Sequence, residues 1–151
     1  MARLNEWQRE TLDARRRETW TLSGPNRLVK VTPLVSDVRT HVGGYITIGR
    51  YLVGKTPQEM ELELGLRKDD LLHGARIYKL ARLPQPSEYT YELTTEFPGG
   101  LAYNPAFSHP YRVGSRSILQ WQIREGVHIP VKPGFLPLGP QTRFPYWWLL
   151  K

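Results

Sequence analysis

Two amides flank an aromatic in the stretch SILQWQI, residues 117–123: Gln120 and Gln122 stand either side of Trp121. Successive side chains of a strand alternate between faces, so Leu119, Trp121 and Ile123 share one face and Ile118, Gln120 and Gln122 the other. With Trp121 in the core, the two amides are expected on the opposite surface, either half-exposed to water or roofed into a cleft by the long loop before them. A glutamine in a cleft offers a hydrogen-bond acceptor and two donors without changing protonation state. A second group of functional side chains lies in DVRTHVGGYITIGRYLVGKTP, residues 37–57, where Arg39, His41, Tyr45, Arg50 and Tyr51 fall close together around Gly43 and Gly44. Arginine offers a planar fork to phosphate, tyrosine can stack on a planar base, and a glycine pair lets backbone N–H groups approach an anion. Plainer readings stand beside these, because GG is commonly a turn and an arginine such as Arg50 is commonly a surface residue.

Several chemistries are excluded or disfavoured by what the chain lacks. It contains no cysteine, which rules out disulfides, thiolate zinc sites and a cysteine nucleophile. The four histidines, His41, His73, His109 and His128, form no close pair at ligand spacing, so no metal site is expected. GRYLVGKT lacks the G-x-x-x-x-G-K-[ST] spacing of a phosphate-binding loop, and no Ser-His-Asp order is legible. The net charge is +7, and residues 97–151 hold Arg112, Arg116, Arg124, Lys132, Arg143 and Lys151 against Glu125 alone. Such a balance favours an anionic partner: a nucleotide, RNA or an acidic protein. On a basic surface, His109 and His128 could also serve as the acid and base of a metal-independent ribonuclease.

The elements that must position these groups begin with a helix over RLNEWQRETLDARRRETW, with Asn5 as N-cap and Gln8 completing a capping box. Leu4, Trp7, Thr11 and Leu12 line its narrow face, Arg9–Asp13 and Asp13–Arg17 can pair along it, and residues 1–22 read as a helical arm. SGPN ends it. RLVKVTPLV and GGYITIGRYLV are rich in β-branched and aromatic residues and read as strands. Thr56, Pro57 and Glu59 announce a helix over residues 57–64 that Gly65 stops. ARIYKLARLP and YTYELTTEF follow as strands, then a long loop over residues 98–116, the glutamine strand, VHIPV, and a tail, RFPYWWLLK, expected as a strand packed into the core. The short connections predict a single α+β domain with a mainly antiparallel sheet, its main body over residues 23–151. No apolar run approaches the roughly 20 residues that span a bilayer, and no signal peptide opens the chain, so membrane insertion is not expected and export would need a dedicated secretion machine or a larger carrier.

Taken in order, the arginine- and glycine-bearing stretch leading to GRYLVGKTP, then ARIYKLARLP, GGLAYNPAF, GSRSILQW and IPVKPGFL resemble the tuberculosis necrotising toxin family. These are NAD glycohydrolase domains, often at the C-terminus of secreted polymorphic toxins, and the similarity covers roughly residues 37–136. The resemblance implies that Gln120 takes the place of the family's functional glutamine, Trp121 that of the neighbouring aromatic, and Arg39 or Arg50 that of the phosphate-contacting arginine. Gln120 and Arg50 are then the expected catalytic pair, with Arg39, Tyr45, Tyr51, Trp121, Arg116 and Gln122 binding substrate. Two departures from the family pattern are Ser115–Leu119 where glycines would precede the glutamine, and the lack of a phenylalanine after Arg39. The implied reaction hydrolyses NAD or NADP to nicotinamide and ADP-ribose, with no further cofactor, inside a target cell, and implies an immunity protein in the producing cell. The alternatives are ADP-ribosyl transfer, a ribonuclease toxin, and a non-enzymatic basic module docking through the N-terminal helix or FPYWWLLK.

Overall fold

A computed structural model describes residues 2–3, 6–90, 92–93 and 118–151. In chain order the elements are β1 (Ala2–Arg3), α1 (Glu6–Thr19), β2 (Leu28–Pro33), β3 (His41–Val42), β4 (Tyr45–Ile48), a 3-10 turn (Gly49–Leu52) and α2 (Pro57–Glu63). They continue with β5 (Ala75–Lys79), β6 (Tyr89–Thr90), β7 (Glu92–Leu93), β8 (Gln120–Ile123), β9 (Ile129–Pro130), β10 (Leu136–Leu138) and α3 (Tyr146–Leu149). Six strands form one antiparallel sheet in the order β10-β5-β2-β4-β8-β6, and the ribbons β1-β7 and β3-β9 stand apart from it. The fold is the α+β arrangement with a mainly antiparallel sheet that the short connections predict.

Both faces of this sheet are covered, which explains why β2 is apolar on both sides. Leu28 faces a core that also holds Leu12, Ile46, Ile48, Tyr78 and Trp121. Val29 faces a second core, with Leu52, Met60, Ile77, Ile118 and Leu149. The N-terminal helix forms as expected and packs through Leu12, whose carbonyl accepts a 3.2 Å hydrogen bond from Trp121 Nε1. Trp20 then meets the edges of Tyr89 and Trp121 at 5.1 and 5.5 Å between centroids. Trp7, expected on the packing face, is 66 % exposed. Along the helix Asp13 meets Arg16 three residues on, at 3.5 Å. The expected Asn5 cap and Leu4 lie outside the described residues.

Local chemistry sets α2 as the sequence predicts. Thr56 Oγ1 accepts from Glu59 N at 3.3 Å, and Thr56 N donates to Glu59 Oε1 at 3.1 Å. The N–H of Thr56 is the main reason the Glu59 carboxyl is held below its usual range. Two other expectations need correction. The strand read through GRYLV ends at Ile48, because Gly49 N and Arg50 N turn back to the carbonyls of Arg27 and Pro25 at 2.9 and 2.8 Å. The tail is a short helix rather than a strand. Phe144, Trp148 and Leu149 are buried, while Tyr146, Trp147 and Leu150 remain exposed. What holds this helix is distant in sequence: the buried Arg27 guanidinium donates to Leu149 O at 3.2 Å, Lys151 O at 2.7 Å and Leu22 O at 2.6 Å. Of YTYELTTEF, β6 and β7 are described. Thr94–Phe97 and the loop over residues 98–116, with its GG and His109, lie outside the described residues.

Candidate functional site

Gln120 is buried, which the alternation of the strand does not reveal. Its face is covered by α2, and its Nε2 donates at 2.7 Å to the carbonyl of Leu64, the residue that ends that helix. A helix leaves its last carbonyls without intrahelical partners, so the amide caps α2 and ties it to β8. The expected wet face is therefore an interior face, with Gln120 and Gln122 only 5 % and 7 % exposed. Their cross-strand neighbours are Thr47 and Tyr45 respectively, and Thr47 Oγ1 donates to Leu119 O at 2.8 Å. Trp121 points the other way and is 1 % exposed, packed on Trp20, so neither face of its ring is open to a ligand.

The remaining expected residues separate along β4. Arg50 and Tyr51 lie on the 3-10 turn after the strand, the guanidinium exposed and the tyrosine half-buried between the two cores. Tyr51 Oη is buried and, among the described residues, has no hydrogen-bond partner. Gly43 and Gly44 lie at the opposite end, about 13 Å of strand away. Arg39 belongs to that end, its backbone N–H donating to Tyr78 Oη at 3.1 Å. Arg116 and His109 lie outside the described residues. His41 is exposed with its Nδ1 3.0 Å from Thr40 Oγ1, and His73 is exposed.

A cavity of about 450 Å³ opens at the Gly43–Gly44 end, on a break in the sheet. Strand β2 stays paired with β5 as far as Pro33, but its pairing with β4 spans only Leu28 and Val29. Beyond Gly44, which still accepts from Ile123 N of β8 at 2.7 Å, the chain turns to β9, where His41 and Val42 pair with Pro130 and Ile129. Lys30, Thr32, Arg39, Gly43, Gly44 and His128 line the opening, and Asp70 supplies a carboxylate at its edge. The Lys30 ammonium is anchored to Tyr45 O at 3.0 Å, beneath Gly44, where a Cβ would stand 3.1 Å from Nζ. Gly43 is equally confined, since its Cβ would lie 3.1 Å from Val127 O. The glycine pair is thus both a turn and a close approach to a cation.

Electrostatically the cavity is poised for negative charge. Burial, with the positive charge of Arg39 adding to it, pushes the Lys30 ammonium down to about 8. Thr32 Oγ1 is buried on the same side of β2 and, among the described residues, has no hydrogen-bond partner. Two cations and a spare hydroxyl at one opening suit an anion with several acceptor oxygens. Among the described residues, no three histidine, aspartate or glutamate side chains converge as a metal site. No helix among them is long and apolar enough to cross a membrane.

Sequence reasoning reached Arg39, Gly43, Gly44 and His128 but overlooked Lys30 and Thr32. The overlooked signal is visible in RLVKVTP: one lysine set between two valines in a β-branched run. No protein-family model matches the sequence, and searches of curated proteins and of solved structures return no match.

Proposed function

We propose that the chain is the NAD(P)-hydrolysing domain of a secreted toxin, with Arg39 rather than Arg50 as the arginine that contacts the substrate phosphates. The observation that carries this reading is the cavity, where Arg39 meets a second, half-buried cation and two glycines. Its size is within the roughly 300–1,000 Å³ typical of small-ligand sites. In the reaction, water adds to the ribose carbon as its bond to the nicotinamide nitrogen breaks. The bonding electrons neutralise the departing ring, and one proton is released. The leaving group is cationic at the outset, so no acid need protonate it, and the protein's task is to orient the substrate and stabilise developing charge.

Gln120 enters this scheme as a positioning residue that holds β8 against α2. Gln122 stands opposite Tyr45, the residue whose carbonyl anchors Lys30. A toxin of this kind would reach its target cell through a secretion apparatus or carrier and would be blocked at home by an immunity protein. Purified protein is expected to release nicotinamide from NAD or NADP, and Arg39→Ala is expected to lower turnover at least tenfold further than Arg50→Ala. An absence of turnover above buffer overturns the reading. Transfer of labelled ADP-ribose onto protein or nucleic acid would instead assign the related transferase chemistry.

A second reading draws on His128, which shares the cavity with Lys30 and Arg39. A histidine beside two cations is also the equipment of a ribonuclease that needs no metal. RNA degraded in EDTA by the wild type and left intact by His128→Ala would select this reading over the first.

A further inference from the structure

We propose that the cavity between β2 and residues 42–44 is a binding site for a doubly negative phosphate ligand, in which Lys30 is the deep ligand, Thr32 a hydroxyl donor and Arg39 the rim cation. The assignment rests on reading this cavity as the substrate site, and it names the charge and chemistry of what enters. Lys30 and Thr32 are two residues apart on β2 and so point to the same side of the sheet. Between them they offer an ammonium held at 3.0 Å by the carbonyl of Tyr45, and a buried hydroxyl that bonds to nothing among the described residues. An ammonium has three N–H donors, so after Tyr45 O it retains capacity for phosphate oxygens. A buried hydroxyl without a partner costs stability in the empty protein, and a phosphate oxygen removes that cost.

Charge leads to the same ligand. Arg39 and Lys30 both line the opening and the charge of one bears on the other, so in the empty cavity two cations repel, and a doubly negative ligand converts that repulsion into two attractions. The other titratable groups around Lys30 are His128 and Asp70 on the cavity wall and Tyr78, its cross-strand neighbour on β5. Asp70 is directed partly elsewhere, its Oδ2 accepting from Arg67 N at 3.0 Å. Because Lys30 is held near pH 8, it must take up a proton to serve as a ligand above that pH, and affinity should fall as pH rises through about 8.

Sulfate tests this directly, since it remains doubly negative across the whole range. Titration of the full chain at low salt is expected to show sulfate binding at pH 7 that weakens about tenfold by pH 9. Lys30→Arg should keep binding and lose the pH dependence, whereas Lys30→Met and Arg39→Gln should each weaken sulfate at least tenfold at pH 7. Absence of sulfate binding, equal affinity in Arg39→Gln, or the same pH slope in Lys30→Arg overturns the proposal. Competition by ADP-ribose identifies a diphosphate bridge as the occupant, and competition by 2′-AMP a terminal phosphate. If these anions bind while NAD and NADP stay intact, the anion site stands and the hydrolase reading alone falls.

Discussion

Gly74→Ala is expected to be the most damaging single-methyl change in the described structure, lowering stability by about 3–5 kcal/mol. Gly74 has φ +112, a region that side-chain-bearing residues rarely enter, and an added Cβ would sit 2.2 Å from Leu138 O and 3.1 Å from a methyl of Leu34. The first neighbour is backbone, so no rotamer change relieves the clash. Relief requires moving β10, whose Leu138 pairs with Ala75 immediately after the glycine. Leu34 N also donates to Gly74 O at 3.1 Å, so the shift would reach the far end of β2. The urea midpoint should fall sharply in Gly74→Ala. The matching change at Gly126, with φ +81 and nothing within 4 Å of the added methyl, should cost only about 1 kcal/mol. Comparable midpoints for the two variants would refute the backbone-clash argument.

Loss of the Glu61 carboxylate should come close behind. Glu61 is 3 % exposed on α2, and its two oxygens accept from Asp69 N at 2.9 Å and Leu71 N at 3.0 Å. Hydrogen bonds to a charged acceptor contribute roughly 1.5–3 kcal/mol each, so Glu61→Ala is expected to cost about 3–4 kcal/mol and Glu61→Gln about half of that. These bonds also restrain Asp69, which has φ 71 and would relax without them. The segment so restrained carries Leu66 and Asp70 into the cavity wall. Sulfate affinity should therefore fall in Glu61→Ala at temperatures where the variant is still folded. A variant that loses stability but binds sulfate as tightly as the wild type would show that this wall does not shape the site.

What the sequence disclosed and what it hid follow from the range of the interactions. The α2 cap was legible because Thr56, Pro57 and Glu59 act on one another within a single turn. The sheet was legible because β-branched runs between glycines and prolines leave few other arrangements. The fate of Gln120 was not, since alternation tells which face a side chain takes and nothing about what later covers that face. The helical tail was hidden for a similar reason: aromatic and branched-chain propensity favours a strand, and Arg27, more than a hundred positions earlier, overrides it. Lys30 was overlooked because a strand lysine is ordinarily read as a solvent-facing residue, and only the early departure of β4 encloses it.

Arg27 carries a consequence for the order of assembly during synthesis. Two of its three acceptors are Leu149 O and Lys151 O, so a ribosome must deliver residue 151 before the guanidinium can be satisfied. Until then the start of the central strand carries a cation with nowhere dry to go, and packing of Leu149 against Gly49 must wait as well. A contact spanning 124 positions forms slowly and late. The nascent chain should thus stay unfinished on the α2 side of its sheet until residues 149–151 have emerged, then close cooperatively.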